Sequence, residues 1–174
     1  LIDCHTHICW GGNRVNDYSM RVAGKSYLEI AASGGGISDT VTETRKASED
    51  KLVELILDRA KQHLQRGITT IEVKSGYGLN LNDELKMLRA IKKANEKIAV
   101  RLIPTFLGAH IKPKDFDGSH GEYLDFLLQE VVPIIVEEKL ATRADIFVEE
   151  GAFDIDVARI YAKNLKLKGF DVTM

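Results

Sequence analysis

Short apolar runs rich in β-branched residues alternate along the chain with segments whose apolar residues recur at helical spacing. The short runs predict five strands, at residues 1–7, 68–74, 98–107, 144–149 and 170–174. Between them, a predicted helix lies between Ser48, a candidate N-cap, and Gly67, a candidate C-terminal stop. Residues 8–47 show no clear hydrophobic period and predict a long, irregular connection after the first strand.

Three further helices follow from the same spacing. Asn80 or Asn82 is predicted to cap the next helix, and the last one is predicted to end near Gly169. Pro133 lies inside the pattern of the helix between these two, where it predicts a kink or an early end.

Strands and helices in regular alternation predict an α/β fold in which helices pack outside a parallel sheet. An open doubly wound sheet and a barrel both fit this order. A complete eight-stranded barrel takes about 250 residues, so five strands in 174 residues would make about half of one. In either architecture, chemistry is expected from polar side chains at the carboxyl ends of the strands.

Composition and charge narrow the class of protein. Hydrophobic residues make up 44% and charged residues 29% of the chain, which favours an ordinary globular protein over a disordered one. Lys plus Arg (24) nearly balance Asp plus Glu (26), so no electrostatic case exists for nucleic acid or a membrane surface as partner. Apolar runs are too short for a membrane span, and two cysteines predict a reducing, cytoplasmic location.

The residues at both ends of the sequence indicate that it is a segment of a longer protein. Leu1 stands where a strand interior is predicted, and no signal-peptide pattern precedes it. The last predicted strand likewise runs to Met174 without a cap or tail. We therefore expect residues 1–174 to be part of a larger domain.

His5 and His7 are the strongest candidates for chemistry, because they lie two residues apart at the end of the first strand. Alternation places both imidazoles on one face, where they can share one cation, while Cys4 points the other way. Two surface histidines remain the alternative. Cys4 and Cys9 are predicted to be buried and inert rather than ligands.

Other candidates follow the second and third strands and the first turn. Tyr77 stands between two glycines, His110 closes the third strand, and Arg14 is suited to pairing with a carboxylate. Each has an ordinary structural explanation, and His63 and His120 are predicted to face solvent. The glycines at 34–36 favour a mobile lid, fixed in part by Arg45, over a phosphate cradle.

Several of these runs resemble the imidazolonepropionase family of metal-dependent amidohydrolases. The most particular are Trp10-Gly11-Gly12-Asn13-Arg14, Ser75-Gly76-Tyr77-Gly78-Leu79 and Phe106-Leu107-Gly108-Ala109-His110, which follow the His-X-His pair in family order. The resemblance is also carried by residues 24–30 and by residues 34–37 with 44–45, and residues 149–153 add weaker support.

The resemblance implies a (β/α)8 TIM-type barrel of which residues 1–174 supply roughly strands 1–5, with a small β-rich domain outside this chain. It implies one zinc or iron ion held by His5 and His7, and substrate binding by Arg14, Tyr77 and His110. The remaining metal ligands and the general acid or base are expected beyond Met174, with His110 as a further catalytic candidate. No lysine closes the fourth strand, so a two-metal site is not expected.

The implied reaction is hydrolysis of the cyclic amide of 4-imidazolone-5-propanoate to N-formimidoyl-L-glutamate, in histidine degradation, by a cytoplasmic enzyme that forms a homodimer. The segment alone is expected to be inactive. Two alternatives stay open: another amidohydrolase, such as a purine or cytosine deaminase, or a non-catalytic α/β module that binds a small molecule.

Overall fold

A computed structural model of the chain describes residues 1–26, 29–30 and 33–173. Within these residues five strands form one sheet: β1 (Ile2–Asp3), β2 (Thr70–Lys74), β3 (Arg101–Ala109), β4 (Arg143–Ile146) and β5 (Asp171–Thr173). Tyr27 and Leu28, in the family-like run at residues 24–30, and Met174, in the fifth predicted strand, lie outside the described residues.

The strand order decides between the two predicted architectures. The strands lie in the order β1-β2-β3-β4-β5, and every neighbouring pair is parallel. A doubly wound sheet reverses its order at a switch point, whereas here each strand pairs with the next. Right-handed crossovers in this order place the connecting helices on one face. The α/β half-barrel is confirmed, and the doubly wound alternative is wrong.

The helices of the described residues occupy the connections between strands. They are α1 (Val15–Val22), α2 (Ile37–Lys46), α3 (Glu49–Gln65), α4 (Leu81–Asn95), α5 (His120–Phe126), α6 (Val132–Glu137) and α7 (Ile155–Leu167). Two of them, α1 and α2, lie within the stretch for which the sequence predicted no period. No helix of the described residues is both long and apolar enough to cross a membrane.

Helix ends follow the predicted chemistry closely. The Ser48 hydroxyl accepts a hydrogen bond from the Lys51 backbone N–H at 3.1 Å, and Asn80, rather than Asn82, caps α4 through the N–H of Asp83 at 2.9 Å. The helix does not end early at Pro133, but a π-helical turn (Leu127–Val131) interrupts its α-helical hydrogen bonding just before the proline and separates α5 from α6.

Two strands, the first and the fourth, end earlier than predicted, at points where side chains take over backbone hydrogen bonds. The first strand ends at Asp3 rather than residue 7, and the Thr6 hydroxyl donates to the Glu72 carbonyl oxygen at 2.6 Å. The fourth ends at Ile146 rather than residue 149, where the Asp145 carboxylate accepts from the Ile146 N–H at 2.9 Å. Each bond diverts a backbone group from the sheet ladder.

Alternation along the strands separates an apolar face from a polar one. Ile71 and Val73 of β2 belong to the hydrophobic core under the helices. Glu72 and Lys74, which alternate with them, therefore point to the opposite, inner side of the half-barrel. Both are nonetheless buried. The carboxyl ends of the strands thus open beside a charged, enclosed interior.

Candidate active site

Four aromatic side chains from three strand ends meet at the carboxyl edge of the sheet. The His7 ring lies 5.4 Å from those of His5 and His110 and 5.7 Å from Tyr77, measured between centroids. Tyr77 and His110 are 5.3 Å apart. Because parallel strands end at the same edge, residues more than 100 positions apart in sequence become neighbours. We call these four side chains the ring cluster.

His7 has the surroundings of a metal donor. Its Nδ1 is buried and has no hydrogen-bond partner among the described residues. Burial, with smaller contributions from His110, His5 and Lys74, lowers the pKa of His7 to about 4. The ring is therefore neutral at pH 7 and keeps a lone pair available, which a metal ligand requires.

The imidazoles of His5 and His7 suit a metal ion, but they are two ligands and not a complete set. His5 is exposed, and His7 beside it is half-buried with its Nδ1 enclosed. In the part of the chain that the structure describes, no group of three or more His, Cys, Asp or Glu side chains is arranged to hold a metal. His5 and His7 can therefore supply part of a coordination sphere.

His110 is fixed in one tautomer by the backbone. Its Nδ1 lies 2.9 Å from the Gly76 carbonyl oxygen, which can only accept, so Nδ1 carries the proton. Burial lowers the pKa of His110, which favours the neutral ring. Nε2 is then a hydrogen-bond acceptor. Phe147, after β4, meets the ring edge-on at 5.9 Å and adds an apolar wall.

The turn that presents Tyr77 requires its two glycines, as predicted. Gly76 has a φ of 101°, and a Cβ there would lie 2.8 Å from the Leu107 carbonyl oxygen. At Gly78 a Cβ would lie 2.4 Å from the backbone of Asp83. No larger residue fits either position, so the chain passes tightly between β3 and α4 with Tyr77 between the two contacts.

A buried ionic group, which sequence reasoning missed, lies on the inner face next to the ring cluster. The Lys74 Nζ donates to Glu72 Oε1 at 2.8 Å and to Asp145 Oδ2 at 2.7 Å, and the lysine side chain is 3% exposed. Glu72 also accepts from the Thr6 N–H at 3.2 Å, which ties the group to the His5–His7 segment. Two charges inside an apolar strand were the signal available in the sequence.

The contacts described for Arg14 are with α1 and α2, and none is with the ring cluster. Its Nε donates to Thr40 Oγ1 at 2.5 Å, and its Nη1 lies 3.2 Å from Asp17 Oδ2. The guanidinium is held between α1 and α2 and is still 38% exposed. Its pairing with an external carboxylate stays a prediction.

Arg45 does not fix the glycine run at 34–36, contrary to expectation. It donates to the Gly78 carbonyl oxygen at 2.7 Å and pairs with Asp115 at 2.6 Å. The glycine run instead donates from the Gly36 N–H to Asp17 Oδ2 at 2.8 Å. Because α2 carries Arg45 towards the sheet, its side chain joins the loops after β2 and β3.

Other sequence expectations were wrong in part. His63 is half-buried rather than solvent-facing, because its Nδ1 contacts the Arg59 carbonyl oxygen at 2.8 Å. His120 is exposed as predicted, although it begins α5 instead of lying in a loop. Cys9 is buried as predicted, but Cys4 is exposed, as is Ile2, which precedes it on the same face.

Three curated relatives of this chain carry the same name. An imidazolonepropionase from Vibrio vulnificus (strain CMCP6) is 47% identical over 174 residues, covering 97% of this chain and 43% of the relative. Its namesake from Vibrio parahaemolyticus is 46% identical, covering 99% of this chain and 41% of the relative. One from Myxococcus xanthus is 46% identical over 159 residues, covering 91% and 38%.

The other comparisons add little. No family model matches the chain. A crystal structure of a dipeptide epimerase from Methylococcus capsulatus, complexed with a Mg ion, is 14% identical over 69% of this chain with a TM-score of 0.29, too low to show a shared fold. The chain spans about 43% of the length of the first curated relative it matches.

Proposed function

Because the chain belongs by sequence to the imidazolonepropionase family, we propose that it forms part of a longer hydrolase that opens the ring of 4-imidazolone-5-propanoate. Water adds across the cyclic amide: the carbonyl carbon gains an oxygen, the C–N bond breaks, and the departing nitrogen takes a proton. The product is N-formimidoyl-L-glutamate. The observation that carries the proposal is the ring cluster, assembled from three of the runs that resemble the family.

His5 and His7 are proposed to hold one zinc or iron ion. The unpartnered Nδ1 of His7 and its neutral ring support this role. When bound, such an ion makes hydroxide available at neutral pH, because it lowers the pKa of a coordinated water towards about 7. The remaining ligands come from the part of the protein outside this chain.

Tyr77 and His110 are proposed to form hydrogen bonds with different polar groups of the substrate ring. The fixed tautomer of His110 makes its Nε2 an acceptor, which suits a ring N–H of the substrate. The Tyr77 hydroxyl can donate, which suits the oxygen that becomes negative as the carbonyl is attacked. The two rings, 5.3 Å apart, can reach neighbouring atoms of one small heterocycle.

Arg14 is proposed to bind the propanoate carboxylate. A guanidinium has five N–H donors, and the bonds to Thr40 and Asp17 leave further donors available. These two contacts fix the plane of the group before substrate arrives, which reduces the entropy lost on binding.

The test is turnover by the full-length protein loaded with zinc or iron, followed as loss of imidazolone propanoate absorbance with and without a chelator. We expect chelator-sensitive turnover. Arg14→Ala should lower kcat/KM about 10- to 100-fold, mainly through KM, because a charge-assisted contact is lost. Arg21→Ala, which removes an exposed arginine of α1, is the matched control and should change little.

Two outcomes would contradict the proposal. A folded, metal-replete protein without turnover removes this substrate and leaves the deaminase alternative to be tested, and turnover that survives Arg14→Ala removes Arg14 as the residue that binds the carboxylate. We propose further that the 174-residue segment alone binds metal weakly and is inactive, since it supplies two metal donors; measurable turnover by the segment would contradict this.

A further inference from the structure

Glu84, near the start of α4, is a fully buried carboxylate bound to the loop that carries Tyr77. Its Oε1 accepts hydrogen bonds from the N–H groups of Gly78 at 2.8 Å, Leu79 at 2.9 Å and Gly76 at 3.1 Å. Its Oε2 lies 3.2 Å from the Gly76 nitrogen. The Ser75 side chain is a further hydrogen-bond partner.

A carboxylate at this depth is stable only with such partners. Moving an unpaired charge out of water is unfavourable, and burial accordingly raises the pKa of Glu84 while its four hydrogen-bond partners act in the opposite direction. The three backbone donors converge on one side chain because the loop folds around it. The shape of the loop and the position of Glu84 therefore depend on each other.

The same loop connects Glu84 to two members of the ring cluster. Tyr77 lies between the N–H groups of Gly76 and Gly78 that Glu84 binds, so its backbone is held on both sides. The Gly76 carbonyl oxygen accepts from His110 Nδ1, which sets the tautomer of that ring. One buried side chain thus reaches both residues through a single turn of backbone.

We infer that Glu84 is a positioning residue for Tyr77 and His110, acting through residues 75–79 without touching the substrate. The inference rests on the proposed function for its catalytic consequence, but its structural part stands independently. A glutamine at this position keeps the size of the side chain but removes its charge. If the amide oxygen takes the Oε1 position, the NH2 group replaces Oε2 and faces the Gly76 N–H, a donor against a donor.

The first test is kinetic and uses the full-length, metal-loaded protein. Glu84→Gln should lower kcat/KM about 100-fold, the order expected when reacting groups move by about 1 Å. Glu122→Gln is the matched control, because Glu122 also accepts backbone and hydroxyl hydrogen bonds at a helix start, in the exposed capping box of α5. It should change kcat/KM less than about 2-fold.

A double-mutant cycle separates positioning from general loss of stability. If Glu84 acts through Tyr77, Glu84→Gln should cost several-fold less in a Tyr77→Phe background than in the wild-type protein. Losses that simply multiply would overturn the inference. If Glu84→Gln does not fold, Glu84→Asp, which keeps the charge and shortens the reach, is taken through the same cycle.

The second test does not depend on activity. Hydrogen exchange of the 75–79 segment should be faster in Glu84→Gln and unchanged in Glu122→Gln, because only the first replaces the charged acceptor of the Gly76, Gly78 and Leu79 amides by a weaker, neutral one. A folded Glu84→Gln protein with wild-type protection would contradict the inference. If the wild-type protein does not turn over imidazolone propanoate, the proposed function fails, and the exchange result still decides the structural role of Glu84.

Discussion

Lys74 illustrates how much one residue can depend on its neighbours. Its ammonium group is enclosed with the carboxylates of Glu72 and Asp145, whose side chains are 8% and 12% exposed. Lys74→Met leaves these two negative charges together without a counter-ion. We expect the full-length protein to lose about 3–5 kcal/mol of unfolding free energy, measured by urea titration.

The control for this substitution is Lys61→Met. Lys61 lies 3.9 Å from Asp58, and both side chains are well exposed, so its loss should change the unfolding free energy by less than about 0.5 kcal/mol. A loss below about 1 kcal/mol for Lys74→Met would show that the two carboxylates do not need the lysine.

At this scale the sequence predicted the ring cluster but not the charged residues beneath it. His5, His7 and His110 could be grouped because parallel strands share a carboxyl edge, and that edge follows from strand order alone. Lys74 could not, because a lysine is normally solvated, and its burial depends on a partner 71 positions away. Glu84 was missed for the same reason, since its partners appear only when the loop folds back.

The start of α4 links helix stability to the site. Asn80 caps this helix directly after the loop that carries Tyr77, whereas Ser48 caps α3. Asn80→Ala and Ser48→Ala should each cost about 1 kcal/mol of unfolding free energy. Only Asn80→Ala should also lower kcat/KM, because it loosens the loop. Equal kinetic effects of the two substitutions would show that the loop keeps its shape without the cap.

Long, strongly periodic elements were predicted well, and short or interrupted ones were not. The helices α3 and α4 combine a buried apolar face with a recognisable cap, so both pattern and end chemistry agree. The helix α1 was missed because none of its eight residues is buried, and a helix without a buried face needs no hydrophobic period. The ends of β1 and β4 were misplaced because the side chains of Thr6 and Asp145 bind backbone groups there. The hydrophobic pattern carries no information about such hydrogen bonds.

The whole sheet has two strands with a neighbour on one side only. In the strand order of the described residues, β1 and β5 are the outer strands, and on β1 Ile2 is 73% exposed. Unpaired parallel edges of this kind associate with other chains. We expect the isolated 174-residue segment to self-associate, as measured by size-exclusion chromatography with light scattering.

Charge at the edge should reduce this association. Ile2→Lys places a charge on β1 and should shift the segment towards monomer, whereas Leu167→Lys, at a similarly exposed position in α7, should not. A segment that is monomeric without either substitution would contradict the expectation.

The two cysteines differ in exposure, so that one of them can be labelled selectively. Cys9 is fully enclosed and burial raises the pKa of its thiol, so it resists alkylation, whereas Cys4 is open to reagents. In the 174-residue segment, a maleimide dye or spin label would therefore attach at Cys4, next to His5, without any engineered cysteine. The emission or paramagnetic broadening of such a label would report directly on whatever enters the mouth of the half-barrel.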